Sequence, residues 1–239
     1  MKKLIFTLST LLLSMSAQAY DGYYVSVGMN PSGQRLSNSF GSTQDILGGG
    51  GEIEFGKRRG GFEYSGLLSV SAGEAKNFRR NIEGNLYQFG AESQSLGLGM
   101  RLKYRMNNNF YVFVTPQLRA VLIEDNGAND PEEDLTPVEG QIYGLEEAYL
   151  GYGSDVGIGY LQNLNNGFVE DVYYQLSYSV NNYLKNIGEY NNGGATRKIN
   201  RSVGSDYYDQ SVLLTVGFTF GDSIVQRSKE AYRAVKSRW

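Results

Sequence analysis

Eight times after its first twenty residues, this chain alternates apolar with polar or small side chains over nine to fourteen residues. A period of two is that of a β-strand, whose successive side chains point to opposite faces. The alternation predicts strands at 22–30, 45–56, 61–72, 95–105, 110–121, 148–161, 168–181 and 208–220. In the last, Val212, Leu214, Val216, Phe218 and Phe220 share one face; Ser211, Leu213, Thr215, Gly217 and Thr219 share the other. Each strand therefore has one greasy face and one polar, small or charged face.

The gaps between strands alternate as well. Those at 57–60, 106–109 and 162–167 are short, with the Gly and Asn content of tight turns. Those at 31–44, 73–94, 122–147 and 182–207 are long. Short turns at one rim, long loops at the other and bilayer-length strands form the pattern of an outer-membrane barrel. A soluble sandwich also alternates, but does not require that gap pattern. The expected fold class is all-β: an eight-stranded antiparallel up-and-down transmembrane β-barrel with a short C-terminal basic helix or tail. Segments 86–93 and 140–147 leave room for ten strands, or for extra strand length above the membrane. A mean hydropathy of −0.38 argues against a helical membrane protein.

The ends read differently. Lys2 and Lys3, the apolar stretch 4–15 and the Ala17-Gln18-Ala19 site make 1–19 a cleaved secretory signal. Its removal leaves 20 basic against 25 acidic residues, a net charge of −5. The barrel would occupy 20–220, and 221–239 a periplasmic tail. In that tail Ile224, Ser228, Ala231, Val235 and Trp239 fall on one helical face, and Arg227, Lys229, Arg233, Lys236 and Arg238 spread elsewhere. Such a helix suits an anionic membrane surface; a frayed, solvated end is the plainer reading.

The chain has neither Cys nor His. That removes thiol nucleophiles, Ser-His-Asp triads and the usual zinc ligands. The expectation is a non-enzyme with no cofactor and no metal. Its acidic balance also argues against a nucleic-acid partner.

With the aliphatic face turned to lipid, Glu52, Glu54, Glu63, Arg101, Lys103 and Asp155 point inward at similar depth. Charge on the lipid face would cost about 2–4 kcal/mol at mid-bilayer. Inside, charges need partners. The expectation is one internal ion-pair network, acting as a plug or lining a selective pore; eight strands enclose a lumen that side chains fill. Gly48 to Gly51, Gly153, Gly157 and Gly159 read as bends or as room for bulky inward neighbours. Aromatic residues gather at two levels. Tyr23, Phe55, Phe62, Tyr104, Phe110, Tyr160, Phe168, Phe218 and Phe220 lie near the short-turn rim; Tyr152, Tyr178 and Tyr208 lie near the other. They fit interfacial girdles.

The final strand, ending Gly217-Phe218-Thr219-Phe220, resembles the C-terminal assembly signal of bacterial outer-membrane proteins. That resemblance implies the barrel assembly machinery as a partner reading Gly217, Phe218 and Phe220. The chain to residue 220 is similar to the OmpA-type eight-stranded barrel superfamily, whose small members include adhesin-like and porin-like proteins. It departs from the commonest pattern by continuing 19 residues past Phe220.

The long loops are the expected interaction surface. The 122–147 segment holds Glu124, Asp125, Asp130, Glu132, Glu133 and Asp134. It lacks the D-x-D-x-D-G order of a calcium loop and reads as a solvated acidic loop. The 182–207 segment holds Lys185, Arg197, Lys198 and Arg201, suited to lipopolysaccharide phosphates, to an extracellular polyanion or to the acidic loop. The expected role is a monomeric surface interaction or structural protein with a plugged lumen. A small diffusion channel is the alternative.

Overall fold

The computed structural model of the chain describes residues 22–37, 43–82, 85–106, 109–125, 142–164, 169–192, 195–202 and 208–221. The expected signal at 1–19 and the tail beyond 221 lie outside them. Nine strands follow in order: β1 (Gly22–Ser37), β2 (Thr43–Arg59), β3 (Phe62–Ile82), β4 (Asn85–Arg105), β5 (Phe110–Asp125), β6 (Ile142–Asn163), β7 (Asp171–Asn192), β8 (Ala195–Ser202) and β9 (Tyr208–Phe220). Each consecutive pair from β1 to β7 is antiparallel; β7 then pairs with β9, and β9 with β1. Eight strands thus close a ring. β8 pairs with the upper part of β7 and lies in line with β9.

The register fixes the size of the barrel. Followed from Ser26 through Glu54, Leu67, Gly99, Gln117, Gly153, Asn181 and Asp209, it returns to β1 at Leu36, ten residues further on. Eight strands with that stagger tilt by about 40° and form a backbone cylinder about 16 Å across. β2 and β3 are joined by Gly60-Gly61 alone, with Gly60 at φ 60°. A two-residue hairpin turn requires that left-handed conformation at its first position, and Gly adopts it without strain.

Outward side chains form the lipid-facing belt. Val27, Ile53, Leu68, Leu98, Val114, Ile158, Leu176 and Leu214, among others, are large, apolar and exposed. The apolar run covers about 25 Å of height, the thickness expected of a barrel's membrane band. At its lower edge Phe62 stacks near Tyr104, Phe110 near Tyr160 and Tyr23 near Phe55, with ring centroids 4.9, 5.1 and 6.4 Å apart. The lower girdle read from sequence is therefore present; Phe168 lies outside the described residues. Tyr152 and Tyr178 face outward higher up.

The strands run well beyond the belt. Strands β1 to β7, of 16 to 22 residues, rise about 40–55 Å at this tilt. Much of the chain expected as loops, including 31–37, 73–82, 85–94, 122–125, 142–147, 182–192 and 195–202, is strand. Segments 86–93 and 142–147 lengthen β4 and β6 without adding to the eight-stranded ring. The reason is a second core inside the upper barrel. Ile46, Ala75, Ala91, Val121, Ile123, Leu145, Tyr149, Tyr183 and Tyr190 are buried together there. The rule "apolar faces outward" inverts at that height. On β5, Val112, Val114 and Leu118 face out, whereas Val121 and Ile123 face in and Glu124 faces away from them.

A closed ring leaves no open backbone edge within the membrane and so resists detergent until boiled. We expect the refolded chain to migrate faster on gels unheated than boiled. Identical mobility, or a helical circular dichroism spectrum, would contradict the ring.

Candidate functional site

The lumen is built in layers, each supplied by the inward residues of several strands. At the centre, β2 contributes Glu52 and Glu54, β4 Arg101 and Lys103, β5 Phe113 and Thr115, and β7 Gln175. Arg101 grips Glu52 with two parallel bonds, Nη1–Oε1 at 2.8 Å and Nη2–Oε2 at 2.9 Å. The same Nη1 reaches Glu54 at 3.2 Å, and Nε donates to Thr115 Oγ1 at 3.0 Å. Its guanidinium lies 4.9 Å from the centre of the Phe113 ring. Lys103 Nζ lies within 2.8 Å of Glu54 Oε1 and 2.9 Å of Oε2. Rings of Tyr24, Tyr111 and Tyr173 surround that ammonium at 5.4, 5.4 and 5.9 Å. Both carboxylates accept further bonds: Glu52 from Gln175 at 3.0 Å and Tyr173 at 3.2 Å, Glu54 from Ser65 at 2.6 Å and from Tyr24. Two acids and two bases balance. Burial of charge is tolerable because each ion is paired and hydrogen-bonded.

Glycine makes room for the rings. A Cβ at Gly159 would fall 2.0 Å from the Tyr111 ring, at Gly157 2.7 Å from Phe113, and at Gly56 2.8 Å from Tyr24. Tyr173 occupies the space a side chain at Gly28 or Gly217 would need. The reading of Gly157 and Gly159 as room for inward neighbours holds. Gly217, assigned from sequence to the assembly signal, also has this packing duty.

The six inward charges do not form one network. Glu63 belongs to a lower layer, 3.3 Å from Arg58 Nε and bonded to Arg105. Arg58 continues to Glu170 at 2.7 Å and Asp171 at 3.6 Å. Asp155 belongs to an upper layer, where it accepts from Gln117 at 2.9 Å. Gln117 also reaches Asn181 at 3.2 Å, and Asn181 donates to Asp209 at 2.7 Å. Arg101 therefore faces two of the four acids expected around it. The cause is the tilt: residues at the same count from the short-turn rim differ in height when they sit on distant strands. Sequence reasoning also missed Arg58, Arg105, Asp171, Tyr183 and Asp209. They share the parity of recognised inward residues, so the alternation itself carried the signal.

The loop candidates lie mostly in strands. Glu124 and Asp125 end β5; Lys185 is in β7; Arg197, Lys198 and Arg201 are in β8. Lys185, Arg197 and Lys198 are exposed, and Lys198 is directly opposite Glu189. Asp130, Glu132, Glu133 and Asp134 lie outside the described residues. Phe218 faces outward and is exposed, with Phe220 beside Val25 of β1.

A closed eight-stranded ring with an apolar belt, an aromatic girdle and a polar lumen defines an outer-membrane β-barrel protein. A solved structure shares the fold. A major outer membrane protein from Thermus thermophilus aligns with a TM-score of 0.50 at 12% identity, over 83% of this chain and 99% of that one. Neisserial surface protein A aligns at 0.44 and 14% identity, over 84% and 97%. Ail, the attachment invasion locus protein of Yersinia pestis, in complex with the heparin analogue sucrose octasulfate, aligns at 0.44 and 8% identity, over 83% and 99%. No protein-family model and no curated protein sequence matches the chain.

Removing Arg101 would strip Glu52 of its ion-pair partner and leave Lys103, on Glu54, to balance both carboxylates. We expect Arg101→Met to lower stability by about 3–5 kcal/mol. Adding Glu52→Gln should restore part of that loss. Urea unfolding in lipid vesicles measures both. Wild-type unfolding of the single variant would show that the layer does not hold the barrel together.

Proposed function

We propose that this protein works at the cell surface through the extracellular end of its barrel, with a lumen closed to solutes and no enzymatic activity. The observation carrying this reading is the central layer. Arg101, Glu52, Glu54 and Lys103 are buried and bonded across a cylinder that side chains fill. The apolar core above adds a second obstruction. Strands raised beyond the bilayer on that core present a firm surface to lipopolysaccharide, to other cells or to soluble partners. Exposed Lys185, Arg197 and Lys198 suit anionic partners there.

A diffusion channel is the competing role. Single-channel recording of the refolded chain in a planar bilayer separates the two. We expect no steady conductance from the wild type. Sustained ohmic conductance, with ion selectivity altered in Arg101→Met, would replace the closed-lumen reading with the channel.

We also propose that the barrel assembly machinery reads the last strand. Gly217 cannot test this cleanly, because any side chain there would collide with Tyr173 and the Val27 carbonyl. Phe218 faces lipid, so Phe218→Ala with Phe220→Ala changes the signal and spares the lumen. We expect this variant to fall in outer-membrane abundance and accumulate in the periplasm, while refolding normally in detergent. Wild-type abundance in cells would remove the proposal.

A further inference from the structure

The outer wall carries an oblique trough of about 930 Å³ that crosses from β1 to β6. Its floor is laid by small outward residues: Gly49 and Gly51 of β2, Ala72 of β3, Ala120 of β5 and Ala148 of β6. Ile53, Leu68 and Val70 wall its lower side. The register makes it continuous. Gly49 lies opposite Ala72, Ala72 opposite Gln94, Gln94 opposite Leu122, and Leu122 opposite Ala148. Because the strands tilt, this row climbs as it passes around the ring. It begins within the apolar belt and ends at Leu122 and Ala148, where β5 and β6 exchange their polar and apolar faces.

The upper lip of the trough is acidic. Two residues further up each strand, Glu74, Glu92, Glu124, Glu146 and Glu189 stand directly opposite one another in succession from β3 to β7. Glu74, Glu92, Glu146 and Glu189 are exposed, and Glu124 is half-buried. At a strand spacing of about 4.8 Å the five carboxylates extend over about 19 Å. Like charges placed directly opposite disfavour strand pairing. The row faces away from the lumen, so the ion pairs of the interior do not relieve this repulsion. A polycation laid along the row would.

We infer that the trough and its glutamate lip bind a cationic amphipathic helix of a partner peptide. The apolar face of the helix lies on the small residues of the floor, and its lysines or arginines meet the carboxylates. The dimensions agree. A helix of about sixteen residues is about 24 Å long, the breadth of the five strand-to-strand steps from β1 to β6. Its pitch of about 5.4 Å brings one cation per turn to a row of acids spaced about 4.8 Å apart. Two other occupants fit less well. A second copy of this chain would set its own glutamate row against the first. Lipid hydrocarbon can enter the lower trough, but phosphate-bearing headgroups share the sign of the lip. This inference rests on the reading that the extracellular end is the working surface.

The test uses the full chain in nanodiscs of zwitterionic phosphatidylcholine, with empty nanodiscs as the baseline, and two fluorescent probes. One is a Leu-Lys peptide of about sixteen residues with its lysines on one helical face. The other is an oligolysine of equal charge, which lacks the apolar face. We expect the Leu-Lys peptide to bind loaded discs at least about tenfold more tightly than empty ones, and the oligolysine to bind loaded discs about tenfold more weakly than the peptide. Glu92→Gln with Glu124→Gln and Glu146→Gln should weaken the peptide by about tenfold. Ala72→Phe with Ala148→Phe fills the trough and keeps every carboxylate; it should weaken the peptide to a similar extent. Heat-modifiable mobility shows that each variant barrel is intact. Four outcomes overturn the proposal: no binding beyond that of empty discs, equal binding of the oligolysine, unchanged affinity in the Gln variant, or unchanged affinity in the filled trough. A barrel that conducts yet binds the peptide as described would refute the closed lumen and leave this proposal standing.

Discussion

The pairing of β1 with β9 is the constraint on which the rest depends. In hydrocarbon no water is available to unpaired backbone groups, so a sheet can cross only if its first and last strands meet. They meet along eleven residue pairs, from Val25–Phe220 to Ser37–Tyr208. The stagger at which they close sets tilt and radius, and the radius sets how much side chain the interior must hold. A cylinder about 16 Å across leaves little free volume once aromatic and charged side chains point inward.

What fills it follows from that width. Outward positions are committed to lipid, so the polar side chains of every strand share one narrow interior. Charges brought so close must neutralise one another at short range, and Arg101 does so through the paired geometry that guanidinium and carboxylate allow. A lysine at 101 would supply charge but not the fork that engages Glu52 with two nitrogens while a third holds Thr115. Large rings fill the remaining volume, and each fits because the neighbouring strand carries glycine at the facing position. Glycines that weaken an isolated strand here allow the core to pack.

The fold was legible where the physical rule was uniform. Within the membrane one face meets lipid along every strand, so the alternation of β9 or of residues 95–105 reads without ambiguity. The inward assignment of Glu52, Glu54, Arg101 and Lys103 came from that parity, and the structure brings those four together. The grouping of Glu63 and Asp155 with them failed because depth was counted along each strand while the strands climb around the ring. The in-line placement of β8 was not legible. It depends on which strand β8 pairs with, and side-chain alternation carries no record of a strand's neighbour.

Strand ends were misread for a more specific reason. Above the belt, the inner face becomes apolar and the outer face polar, so the two faces exchange character while the side-chain parity stays the same. Where the exchange occurs, both faces are briefly apolar: Ala120, Val121, Leu122 and Ile123 follow one another on β5, as do Ala148, Tyr149 and Leu150 on β6. Alternation disappears there and returns in opposite phase, with Ile123 inside and Glu124 outside. A search for one continuous pattern stops at that point and assigns the rest to loops. The phase change instead marks the place where the barrel leaves the bilayer. Below it, stability comes from a polar interior in an apolar solvent; above it, from an apolar interior in water. One set of strands satisfies both conditions, which lets this small barrel raise a structured surface above the membrane.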